Sequence, residues 1–108
     1  LTVYEGAEDQ KRPYLHVQDA VRAMLFAAGS LGDGEAYNVV GQNGRLRDVV
    51  DAIERHFPDV TVGYTEAEQL NQLSYVVSDE KIRSEGFETA HSLDEGVAEL
   101  ADKFRGLV

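Results

Sequence analysis

Apolar and polar residues alternate over Leu1 to Tyr4, a period of two that predicts a short opening strand. A polar turn from Gly6 to Lys11 leads into a second extended run, Pro13-Tyr14-Leu15-His16-Val17. From Val17 the apolar residues Ala20, Val21, Met24, Leu25 and Ala28 recur at helical spacing, with Gly29 offering the stop. Gly32-Asp33-Gly34 reads as a turn into Ala36 to Val40, a strand expected to be buried and bounded by Gly41-Gln42-Asn43-Gly44. Leu46, Val49, Val50, Ile53 and Phe57 then repeat at three and four residues, predicting a second amphipathic helix closed by Pro58.

Val60 to Tyr64 alternates as a strand, and an acidic, Gln-rich stretch from Glu66 to Gln72 precedes an extended Leu73 to Val77. Ser78 is placed to cap a short helix with Asp79 and Glu80 in its first turn, where the helix dipole favours them, and Gly86 ends it. Ser92 and Glu95 form a capping-box pattern ahead of Val97, Leu100, Ala101 and Phe104 on one face of a last helix. About four helices and four to five short strands in alternation predict α/β architecture. No repeat, low-complexity tract or linker divides residues 1–108, which are expected to form a single unit.

At 108 residues and 43% hydrophobic the chain can bury a modest core, roughly two thirds of its unfolded surface. Twenty acidic residues against ten basic ones give a net charge of −10, which repels phosphate backbones and anionic membranes, so no nucleic-acid partner is expected. The absence of cysteine removes disulfides and thiolate metal sites, and His16, His56 and His91 are too scattered in sequence to read as a ligand set. No apolar run reaches the roughly 18 to 20 residues of a membrane span, and no signal-peptide pattern opens the chain. A cytoplasmic location is the expectation. Opening at Leu1 rather than Met, the chain is expected to be a segment of a longer polypeptide.

The chemistry is sparse. No Gly-x-Gly-x-x-Gly turn joins a strand to a helix, so a dinucleotide cradle is not expected, and Gly41-Gln42-Asn43-Gly44 reads as a turn before it reads as a phosphate loop. His16 has no Ser or Asp in a relay context, and pairs such as Glu66 with Glu68 or Asp94 with Glu95 sit in acid-rich, solvated surroundings. No catalytic residue and no metal ligand is assigned. Arg12 stands apart, because a guanidinium between a short strand and a helix start can grip a phosphate or diphosphate bidentately. A surface arginine paired with Glu8 or Asp9 is its other reading. Tyr14 alternates onto the same strand face, so hydroxyl and cation can meet one ligand. Asp19, in the first helical turn, is best placed to tie down backbone amides.

Taken in order, Arg12-Pro-Tyr-Leu-His-Val-Gln-Asp19, Ala36-Tyr37-Asn38-Val39, Ser74-Tyr75-Val-Val-Ser78-Asp-Glu-Lys81-Ile82, Gly86-Phe87 and Ser92-Leu-Asp-Glu-Gly96-Val97 resemble the C-terminal part of an extended short-chain dehydrogenase/reductase of the NAD-dependent nucleotide-sugar epimerase/dehydratase family. The resemblance covers nearly the whole chain. It implies the edge of a Rossmann-type sheet plus a small substrate-binding subdomain, with the N-terminal Rossmann portion of the same enzyme as partner and a nucleoside-diphosphate sugar as ligand. It further implies that Arg12 approaches the diphosphate, with Tyr14 near it, and that Asn38, Tyr75 and Lys81 are scaffold.

Members of that family often carry a second arginine where this chain has Leu73 or Glu68, and an acidic residue where it has Asn71. The family's Gly-rich loop and Tyr-x-x-x-Lys pair are absent as well. NAD or NADP is implied for the parent enzyme, and neither is expected to bind this segment alone. Those departures keep a second expectation open, a non-catalytic relic or interaction domain that binds a partner or a non-phosphorylated ligand.

Overall fold

A computed structural model describes residues 1–32, 34–66 and 74–104. Its elements are β1 (Thr2–Tyr4), a 3-10 turn at Ala7–Asp9, β2 (Lys11–Tyr14), α1 (Val17–Ser30), β3 (Gln42–Arg45), α2 (Leu46–His56), β4 (Gly63–Thr65), α3 (Glu80–Ser84) and α4 (Leu93–Phe104). β1 pairs parallel with β4, and β2 pairs antiparallel with β3 in the register Lys11–Arg45, Arg12–Gly44, Pro13–Asn43 and Tyr14–Gln42. The expected α/β class stands.

The helices begin and end for local reasons. His16 caps α1 by accepting the Gln18 N–H at Nδ1, 3.0 Å away. In α2 the Asp48 carboxylate reaches back to the Arg45 N–H at 2.8 Å, and Ser92 Oγ accepts the Glu95 N–H to start α4. Gly86 leaves α3 at φ +104°, a conformation that a side chain would strain.

One core cluster joins Ala23 of α1, Ile82 of α3 and Phe87, with Phe26, Leu31, Tyr37 and Val39 packed against it. Val50 and Ala52 of α2 and Val97 and Ala101 of α4 are also buried, where those two helices pack together. α1 buries Asp19 and Ala23 rather than its most apolar stripe. Val17, Val21, Met24 and Leu25 are 71%, 51%, 70% and 70% exposed, so the face that the sequence pattern picks out as apolar has no cover within this chain. The shape agrees with an unpartnered layer. The molecule measures 46 × 36 × 16 Å, and its 7630 Å² of surface exceeds the about 5,900 Å² that a free-standing monomer of this mass exposes.

Three strand expectations are corrected. Residues Ala36 to Val40 bury Val40 but form no ladder among the described residues. The ladder falls instead on Gln42–Arg45, read above as a turn, because Tyr14 C=O takes the Gly41 N–H at 2.8 Å and draws that segment onto β2. Glycine eases the approach at 41: a Cβ there would lie 3.0 Å from the Tyr14 carbonyl oxygen and 3.6 Å from Leu15 Cα. The strand expected at Val60 to Tyr64 is confined to Gly63–Thr65, since the Val60 N–H is spent on Phe57 C=O in the turn that closes α2. Ser74 to Val77 is no strand. Leu73 lies outside the described residues.

Candidate functional site

β2 is the element that organises the site. Alternation along the strand sets Arg12 and Tyr14 on one face, opposite Gly44 and Gln42 of β3. Gly44 is buried there, with Asp48 Oδ2 and the Tyr14 ring within 3.6 Å of where its Cβ would stand. A side chain at 44 would crowd the floor between the two residues.

The carboxylates offered to Arg12 by its surface-arginine reading are engaged elsewhere. Asp9 holds Arg47 at 2.8 Å, and Glu8 bonds the Tyr64 hydroxyl. Arg12 Nη1 donates instead to its neighbour's carbonyl, Lys11 C=O, at 2.9 Å. Its guanidinium carbon sits 4.9 Å from the centre of the Tyr75 ring. Among the described residues no carboxylate neutralises it. Burial, opposed by Arg12 but aided by the Asp48 carboxylate, pushes the Tyr14 phenol above its ordinary pKa. Tyr14 is therefore a hydroxyl donor at neutral pH, not a base.

Together these groups offer one cation and one O–H to an anionic ligand. Glu68, Asn71 and Leu73, the positions at which the family resemblance places further clamp residues, lie outside the described residues.

The histidines are the surprise of the structure. Distant in sequence, His16 and His91 stack with ring centroids 4.4 Å apart, correcting the expectation that they are scattered. His16 Nε2 meets Glu99 at 2.8 Å, and His91 Nδ1 meets Glu95 at 3.1 Å. Ligand atoms of His16, His91 and Glu99 lie within 4.8 Å of one another, close enough to hold a cation. The capping bond decides against it. His16 Nδ1 accepts the Gln18 N–H, so the neutral ring carries its proton on Nε2 and donates it to Glu99, leaving no lone pair for a metal. This cluster lines a cavity of about 750 Å³ whose other walls include Leu15, Val17, Leu93 and Leu100.

Asp19 explains why α4 approaches at all. Fully buried, its carboxylate accepts the Ala90 N–H at 2.9 Å, the His91 N–H at 3.0 Å and Arg22 Nη1 at 2.7 Å. Burial alone would raise its pKa, but the two amides and Arg22 outweigh that and hold it below the ordinary carboxylate range. The expected amide-tying role holds, and the tied amides prove to belong to the far end of the chain. Asp94 is likewise held low by hydrogen bonds from Arg55 and His56. Lys81 donates to Ala36 C=O and lies over the Tyr37 ring, as a scaffold residue does.

The junction at Gly44 does not fit the phosphate of a dinucleotide. The strand–glycine–helix junction at Gly44 and α2 is filled by its own anion, the Asp48 carboxylate bonded to Arg45 N–H, where a phosphate would have to sit. Among the described residues no helix is long and apolar enough to cross a membrane.

The family model for the NAD-dependent epimerase/dehydratase family matches residues 2–40. Among solved structures the fold is similar to UDP-glucose 4-epimerase of Thermus thermophilus in complex with NAD, with 28% identity and a TM-score of 0.76 over 100% of this chain and 36% of that one. It is also similar to dTDP-glucose 4,6-dehydratase of Bacillus anthracis in complex with NAD, with 21% identity and a TM-score of 0.78, covering 98% of this chain and 34% of that one. A third is UDP-N-acetylglucosamine 4-epimerase of Methanobrevibacter ruminantium in complex with UDP-N-acetylmuramic acid, with 19% identity and a TM-score of 0.77, covering 99% of this chain and 35% of that one. The chain thus spans about a third of the length of each.

Proposed function

We propose that the chain, whose residues 2–40 match the model of the NAD-dependent epimerase/dehydratase family, is the substrate-binding portion of an enzyme of that family acting on a nucleoside-diphosphate sugar. Its own task is to hold the diphosphate. Arg12 supplies the charge and the bidentate donors, and Tyr14 supplies a hydroxyl from the same strand face. Oxidation and reduction of the sugar belong to a separate dinucleotide-binding portion that carries NAD or NADP.

The observation that carries this reading is the uncompensated guanidinium. In a chain of net charge −10, with twenty carboxylates available, Arg12 pairs with a carbonyl and a ring rather than with a described carboxylate. An arginine that pairs with no carboxylate among the described residues is available for an external anion. Supporting it, the open stripe of Val17, Val21, Met24 and Leu25 offers the dinucleotide-binding portion an apolar face to dock on. The same open stripe favours the alternative, an interaction domain without catalysis.

Kinetics of the complete polypeptide separate the two. Losing a charge-assisted bidentate contact costs about 1.5–3 kcal/mol, so Arg12→Ala should raise the KM for the sugar nucleotide about 10- to 150-fold and leave NAD affinity alone. An unchanged KM removes Arg12 from the site and the proposal with it.

A further inference from the structure

Tyr75 lies in a stretch that forms no ladder, yet that stretch is fastened at four points. Lys11 N–H donates to Ser74 Oγ at 2.9 Å, and Tyr75 N–H donates to Lys11 C=O at 3.0 Å. Asn43 then exchanges two hydrogen bonds with Val77, Nδ2 to its C=O and Oδ1 from its N–H, both at 2.9 Å. The ring delivered by this anchoring is the one beneath Arg12, 4.9 Å from its guanidinium carbon.

The Lys11 carbonyl is shared. It accepts both the Tyr75 N–H and Arg12 Nη1, so the backbone that sets the ring also sets the cation. A guanidinium carries five N–H donors in a plane. With one donor on the carbonyl and its central carbon over the ring, the guanidinium keeps further donors that a diphosphate can engage. The ring itself is 50% exposed and the adjacent Val76 59%, so Tyr75 is not there to fill a core.

We propose that Tyr75 is the positioning residue of the anion clamp: its ring holds the Arg12 guanidinium in place, and Asn43 is the latch that keeps the ring there. This rests on the diphosphate reading above. Preorganising a long, flexible cation removes the ordering cost that binding would otherwise meet. The ring acts through Arg12 and touches no ligand, so its effect vanishes when Arg12 is gone.

A double-mutant cycle in the complete polypeptide tests this by calorimetric titration with UDP, TDP and GDP and with the matching nucleosides. Tyr75→Leu should weaken nucleoside-diphosphate binding about fivefold and leave nucleoside binding unchanged. Tyr75→Phe, which keeps the ring face, should stay within about twofold, and Asn43→Ala should follow Tyr75→Leu. In an Arg12→Ala background Tyr75→Leu should have no further effect. If Arg12→Ala weakens binding but Tyr75→Leu changes nothing, or weakens binding equally without Arg12, the inference is overturned and the diphosphate reading survives. If no nucleoside diphosphate binds the wild type, or Arg12→Ala leaves binding unweakened, the diphosphate reading falls and takes this inference with it.

Discussion

Replacing Asp19 by alanine removes the acceptor that fastens the start of α4 to α1. Three donors lose their partner: the Ala90 and His91 amides and Arg22 Nη1. Hydrogen bonds to a charged acceptor contribute about 1.5–3 kcal/mol each. The two amides, part-buried beside the carboxylate, then account for up to about 3–6 kcal/mol. Arg22, with its side chain 46% exposed, can turn to water and adds little. Against a typical total of about 5–15 kcal/mol, that loss is a large part of the stability.

Urea unfolding followed by far-UV circular dichroism should show a lower midpoint at unchanged slope. Asp19→Asn should not rescue it, since one amide would then face the Asn NH2 group instead of an oxygen.

The pH dependence has a definite sign. Asp19 has its folded-state pKa held below the unfolded value, so its contribution is complete above about 4 and fades as pH falls through the folded pKa. Wild-type stability should decline over that acid window more steeply than that of Asp19→Ala. A variant within about 0.5 kcal/mol of wild type at pH 7, or one with the wild-type acid profile, refutes the assigned role.

Two further outcomes are expected. Gly41→Ala should cost about 1–3 kcal/mol, read as a lowered urea midpoint, because its Cβ would stand 3.0 Å from the Tyr14 carbonyl and 3.8 Å from that of His91, both backbone atoms. Met24→Glu combined with Leu25→Ser should leave the 108-residue chain within about 0.5 kcal/mol of its starting stability but lower that of the complete polypeptide by about 3–6 kcal/mol, since both side chains are 70% exposed here. Equal stability of the substituted and native complete polypeptides would count against docking on α1.

The helices were legible because their signals are local. Pro58 after Phe57, Ser92 before Leu93 and Gly86 after α3 all act within a few residues of the boundaries they set. β3 was not legible, because Gln42–Arg45 has turn composition and becomes a strand only through the Gly41–Tyr14 contact made from afar. Ala36 to Val40 has strand composition but no described partner to pair with, and composition alone cannot supply a ladder.

The site divides the same way. Arg12 and Tyr14 could be read from their alternation along one strand. Tyr75 beneath Arg12 depends on the Asn43–Val77 latch, and the His16–His91 stack depends on Asp19 drawing in residues 90 and 91. No spacing in the sequence encodes either contact. The apolar stripe of α1 was visible as a pattern, and the structure shows that it faces away from the chain's own core.

The central claim is that Arg12 holds a diphosphate. Its most direct test is a calorimetric titration of the complete polypeptide, wild type and Arg12→Ala, with nucleoside diphosphates and with the matching nucleosides. In the wild type the diphosphate should gain affinity over the nucleoside, and Arg12→Ala should abolish most of that gain. A gain that persists without Arg12 would contradict it.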